Sequence, residues 1–157
     1  MKNALSIFVS LLFLAVVAVA QSVNPAGEAN QSIRDRFLGA WRLTWLEEPD
    51  ARGELHRADC SGLLVFTPGG HMSVQVMYRN PTSDKQSPER YTLGGYEASF
   101  GKYEINGPHT FTFHVEGALV RSLVGKDLDR VFEFSGDELI VKSPDPSEHW
   151  KVAWTRY

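Results

Sequence analysis

Leu63-Leu64-Val65-Phe66-Thr67-Pro68-Gly69-Gly70-His71-Met72-Ser73-Val74-Gln75-Val76-Met77-Tyr78 reads as two β-strands folded back on each other. In the second half, Met72, Val74 and Val76 alternate with Ser73, Gln75 and Met77. Successive strand side chains point to opposite faces, so this is the pattern of a half-buried strand. Between the halves, Pro68 presets the backbone angle of a turn's first central residue, and the two glycines accept positive φ. So short a connection joins neighbouring strands antiparallel.

The same signature extends in both directions. In residues 41–47, Trp41, Leu43 and Trp45 alternate with Arg42 and Thr44, and comparable runs occupy residues 101–105, 110–119, 128–134, 138–142 and 150–157. With 63–67 and 72–78 this makes about eight strands. Asn106-Gly107 and Ser135-Gly136-Asp137 supply further turns. A meander of this kind, without a long helix, can close on itself and remove the edges of an open sheet. The expected class is therefore all-β, an antiparallel up-and-down β-barrel of about eight strands. Such a barrel is just wide enough for side chains or one small ligand. A two-sheet sandwich is the alternative. Residues 80–97 break the meander with Pro81, Pro88, Gly94 and Gly95. An interval this long suits a binding loop, so 80–88 is read as a loop and 89–97 as a short helix or extended segment able to cover one barrel mouth.

The N-terminus has a different character. Lys2 precedes a charge-free, largely apolar run from Ala4 to Ala20, and Ala18-Val19-Ala20 has the small-x-small form that signal peptidase accepts. The run falls short of the ~20 residues that comfortably span a bilayer. Residues 1–20 are thus read as a cleaved signal peptide, 21–38 as an N-terminal tether in which Ser32 to Leu38 could form one helical turn, and 39–157 as the barrel domain. The mature chain is expected to be secreted or periplasmic, with no stable membrane insertion. The formal net charge of the 157 residues is -3, and losing Lys2 makes it -4. A mildly acidic chain without a Lys/Arg stripe lacks the footprint of a nucleic-acid binder. Cys60 is the single cysteine, which rules out an internal disulfide. It reads either as a reactive thiol or as a small residue at a strand edge. The five histidines show no close ligand spacing, so no metal and no other cofactor is expected.

Three sets of residues are candidates for a site. Trp41, Trp45 and Tyr103 lie on strands, as do Phe111, Phe113, Trp150 and Trp154, and rings of this size fill cores and wall pockets alike. His114 and Glu116, two apart on one strand, share a face about 7 Å apart. Turned inward they form a titratable pair, and His114 and Glu116 would be the catalytic residues of any enzyme here. Turned outward, they leave Phe111, Phe113 and Val115 to the interior. Arg130 shares its face with Leu128, Phe132 and Phe134. It reads as a rim residue, an anchor for a ligand carboxylate, or the partner of Glu104 or Glu116.

Several longer stretches carry a family likeness: Gly39-Ala40-Trp41, Leu64 through Gln75, Ser99-Phe100-Gly101-Lys102-Tyr103-Glu104-Ile105, His114-Val115-Glu116-Gly117-Ala118-Leu119, Val124-Gly125-Lys126-Asp127, and Ala153-Trp154-Thr155-Arg156. Together they resemble the bacterial and fungal lipocalin-like domain proteins over nearly all of residues 39–157. The resemblance implies a β-barrel with an internal cavity, and it brings no catalytic motif. The expected function is binding of a small, largely apolar molecule in the barrel, with Trp41, Trp45, Tyr103, His114, Glu116 and Arg130 as contacts. An isomerase, cyclase or hydrolase acting on such a molecule in the same pocket is the alternative. The oligomeric state is left open. Expressed with secretion, the protein should lose residues 1–20, as read by intact mass. A membrane-bound product retaining Lys2 would overturn the signal reading.

Overall fold

The computed structural model describes residues 25–50, 52–80 and 90–157, so the segment read as a signal peptide lies outside the described residues. The chain runs through helix α1 (Pro25–Phe37) and strands β1 (Gly39–Pro49), β2 (Leu55–Arg57), β3 (Cys60–Phe66), β4 (His71–Tyr78), β5 (Tyr96–Gly107), β6 (Thr110–Ala118), β7 (Asp127–Ser135), β8 (Glu138–Lys142) and β9 (Lys151–Arg156). All the pairings are antiparallel, each strand from β3 to β9 lies beside the next, and β1 pairs with both β3 and β9. That double pairing closes eight strands into a barrel and excludes the sandwich. The ninth, β2, is an extra strand on the far end of β1, where Glu47 faces Arg57 across the ladder.

Differences from the sequence reading have physical causes. β2 is three exposed residues with no apolar period to announce it. β5 begins five residues before the expected start, because its early inward positions are Glu97 and Ser99, which carry no hydrophobic alternation. The stretch read as a tether is largely helical. Its few apolar side chains gain their value only on contact with the barrel: Ile33 packs on the core and Phe37 is buried at 0% exposure.

Phe37 seals one end of the barrel. Its ring centroid lies 4.8 Å from Phe66, 4.8 Å from Phe132, 5.4 Å from Phe134 and 5.5 Å from Phe111, in edge-to-face geometry. Such pairs add to the energy of the area they bury. The last helical turn carries Arg34 and Arg36, which suit the negative end of the helix dipole. Arg34 donates to the Pro68 carbonyl at 2.8 Å, and the Trp41 indole N–H donates to the Phe37 carbonyl at 2.7 Å. Arg156 donates to the carbonyls of Arg36 and Leu38, satisfying acceptors that a helix C-terminus leaves free. The chain leaves the helix through Gly39 at φ +119, where an added Cβ would sit 3.1 Å from the Arg156 guanidinium. Replacing Phe37 with alanine should cost about 3 to 5 kcal/mol, read from the urea midpoint. A loss under about 1 kcal/mol would mean that the helix does not hold this end shut.

Candidate functional site

A bulge in β1 decides what the cavity sees. Between Leu43 and Trp45 the register against β9 slips by one residue, so Leu43 pairs with Trp154 while Leu46 pairs with Val152. The slip moves every later side chain to the opposite face. Leu46 and Glu48 therefore turn into the barrel, and Trp45 turns out, where the charges of Arg57 and Lys151 lie 5.1 and 5.7 Å from its ring.

The cavity fills the barrel from the aromatic layer above Phe37 to the opposite mouth. Its volume is about 90 Å³, and it opens to solvent at the mouth. Leu46, Leu64, Val74, Val76, Phe113 and Leu128 are among its apolar walls, while Glu48, Tyr78, Tyr91, Glu97 and Arg130 supply polar groups. The mouth is partly crossed by a clasp. Tyr91, from the segment just before β5, donates its hydroxyl to Glu148 at 2.9 Å, and the Trp150 indole donates to the same carboxylate at 3.1 Å. Arg90 completes the cluster as an ion pair with Glu148. Burial alone would raise the Glu148 carboxyl, but bonds from Ser143, Tyr91 and Trp150 and the charge of Arg90 hold it below its ordinary value.

Beneath the clasp, the Arg130 guanidinium lies 5.3 Å from the Tyr91 ring and 5.1 Å from Trp150. Arg130 also donates to the Asp129 carbonyl at 2.8 Å. Glu48 is 1% exposed, and one of its oxygens accepts the Tyr78 hydroxyl at 2.8 Å. Burial raises its pKa, with the Tyr78 bond and the charge of His56 opposing. Glu97 stands opposite Val76 in the ladder and accepts no hydrogen bond from the described residues. Burial pushes its carboxyl up to about 7, against the pull of Arg130. Cys60 lies near Glu48, and burial, helped by the charges of Glu48 and Asp59, pushes its thiol up to about 11. A thiol so rarely ionised is a poor nucleophile.

Of the residues singled out from the sequence, Arg130 lines the cavity. Trp41 and Tyr103 belong to the sealed end, at 2% and 6% exposure, with Tyr103 stacked on Phe37 at 6.2 Å. Trp45 lies outside for the reason given above. His114 and Glu116 also face outward, and they do not pair with each other. His114 meets Asp127 at 2.7 Å and Glu104 at 3.8 Å, while Glu116 meets Lys102 at 3.9 Å. The inward positions of β6 go to Phe111, Phe113 and Val115. Neither Glu104 nor Glu116 partners Arg130. Among the described residues, Glu48 and Glu97, which the sequence reading passed over, are the carboxyls that line the cavity. Among the described residues no group of three or more His, Cys, Asp or Glu side chains is arranged to hold a metal.

A family profile for the lipocalin-like domain matches residues 38–155. The chain belongs to that family. No curated protein matches this lipocalin-like chain. Among solved structures it is similar to a lipocalin-like protein from Bacteroides uniformis, at 16% identity and a TM-score of 0.46, covering 78% of this chain and 99% of that one. An uncharacterized protein from Bacteroides eggerthii gives 13% identity and 0.46, with coverage of 77% and 99%. A mutant of the fluorescent protein UnaG gives 14% and 0.41, with coverage of 78% and 97%.

The raised pKa of Glu97 has a consequence for stability. From the ordinary value of 4.5 up to about 7, the folded chain keeps a proton that the unfolded chain has released. Its contribution is complete below the lower value and is lost as pH rises through the upper one. Stability should therefore fall by about 1 to 3 kcal/mol from roughly pH 5 to pH 8, with Glu48 acting in the same direction. Glu97→Gln should flatten most of that slope in urea midpoints taken across the range. An unchanged slope would show that Glu97 is not the group responsible.

Proposed function

We propose that this lipocalin-like protein binds a small, largely apolar molecule inside its barrel, with Arg130 at the upper wall of the site. One observation carries the reading: the interior is not filled by its own side chains. Above the Phe37 layer the barrel keeps a cavity of about 90 Å³ open to the mouth, walled mainly by aliphatic and aromatic groups. A concave apolar surface with a few polar groups at one end is the usual form of a small-molecule site. The clasp of Tyr91, Trp150 and Glu148 stands where a ligand would enter.

We further propose that the protein acts after export, on the strength of the signal-like residues 1–20. Among the described residues no helix is long and apolar enough to cross a membrane. The enzyme alternative draws no support from His114 and Glu116, whose outward placement keeps them from a substrate in the cavity.

Titration with Nile red, a neutral apolar fluorophore, should give saturable emission enhancement. Val74→Phe, which places a ring in the cavity from a half-buried wall position, should weaken that binding at least about tenfold while costing roughly 1 to 3 kcal/mol of stability. Tight binding that is indifferent to Val74→Phe would place the dye elsewhere and count against the cavity.

A further inference from the structure

The polar groups of the cavity are unequally satisfied. Arg130 is already provided for: two aromatic faces flank its guanidinium at 5.3 and 5.1 Å, and it donates to the Asp129 carbonyl. An arginine between two ring faces is stabilised without a carboxylate partner. The two carboxyls are not provided for in the same way. Glu48, 1% exposed, has one oxygen bonded to Tyr78 and the other bonded to nothing among the described residues. Glu97, half-buried in the cavity wall, feels the charge of Arg130 but has no hydrogen bond from the described residues on either oxygen. A carboxylate offers about four acceptor positions, and buried polar groups in native proteins almost always have partners. The fold thus holds unused acceptors against an apolar cavity, at a desolvation cost visible in the raised pKa of both acids.

We propose that the molecule bound in the cavity carries a basic nitrogen, a protonated amine or amidine, whose N–H groups are received by Glu97 and Glu48. The inference rests on the reading of the barrel as a binding site and adds the chemistry of the ligand's polar end. Glu97 lies beside Val76 across the β4 and β5 ladder, and Glu48 reaches Tyr78, two residues further along the same face of β4. Both carboxyls therefore stand around the inner face of β4 near the mouth. An apolar body would occupy the walls below them, and a cationic end at that level would take up the free acceptors. A ligand carboxylate would bring a third acid to a rim whose cation, Arg130, already lies between two rings and acts on Glu97.

The test uses three eight-carbon chains that differ only at the head: octylamine, octanol and octanoic acid. Each competes with Nile red on the full-length mature protein at about pH 8, where the amine is still protonated. Bonds to charged partners predict that octylamine displaces the dye at a concentration at least about tenfold lower than octanol, with octanoic acid no better than octanol. Glu97→Gln should cut the amine's advantage over octanol to under about threefold, with an unaltered far-ultraviolet circular dichroism spectrum reporting that the variant is folded; Glu48→Gln should act in the same direction. Should either variant fail to fold, the ranking on the unaltered protein decides. Equal displacement by amine and alcohol, preference for the acid, or an amine advantage surviving both substitutions would overturn the inference and leave the apolar site standing. Failure of Nile red and all three chains to bind would remove the site itself, and the inference with it.

Discussion

Strand β1 bonds on both of its edges, to β3 on one side and to β9 on the other, and the barrel exists because of that double pairing. Without it, β9 would present a free edge and the inner face of the sheet would open to water. Closure turns alternating side chains into an inside and an outside. The bulge at Leu43 and Trp45 then lets one strand serve both halves of the interior. Before the bulge β1 gives Trp41 to the sealed end, and after it Leu46 and Glu48 go to the cavity. A second bulge, between Phe100 and Gly101 of β5, lets the β6 strand approach so closely that a Cβ on Gly101 would meet the His114 carbonyl at 2.0 Å. Glycine is required there by contact, with no positive φ involved.

The two ends of the barrel are built for different purposes. At one, helix α1 lays Phe37 among five other rings and fastens its own C-terminus through Trp41, Arg34 and Arg156. This end has aromatic packing and satisfied carbonyls. The other end has carboxyls, phenols and a guanidinium around an opening, and its closest approach across the mouth is a small set of bonds converging on Glu148. Packing stability is thus concentrated away from the site. Polar groups with unmet hydrogen-bonding capacity are concentrated at the other end, around the cavity.

Charge follows the same division. The outer face of β5, β6 and β7 carries exposed pairs such as His114 with Asp127 and Lys102 with Glu116, whose interactions water and salt weaken. Inside, the field around Glu97 is set by burial and by Arg130. The same residue types therefore have different consequences on the two faces of one sheet. A histidine and a glutamate two apart on β6 are surface groups, whereas glutamates on β1 and β5 are held in an apolar space.

Local pattern was enough for the eight strands of the barrel and for its hairpin turns, because alternation and glycine-bearing turns are properties of short stretches; β2, with no apolar period, escaped it. The family likeness, carried by residues such as Gly39, Trp41 and the run from Leu64 to Gln75, was legible in the same way. Of the helix only its last turn was, since residues 25–37 have little apolar content until Phe37 meets the barrel's end. Nor was the site. Glu48 follows Glu47 at the tail of a strand and reads as solvent-facing; only the register slip at the bulge, fixed by pairing with β9, turns it inward. Glu97 sits in an interval with no apolar period because its neighbour Ser99 and it occupy the inward positions. Sequence determined which segments supply the barrel strands. Which face each strand turns to the cavity was decided by tertiary pairing, because a one-residue slip inverts every side chain beyond it.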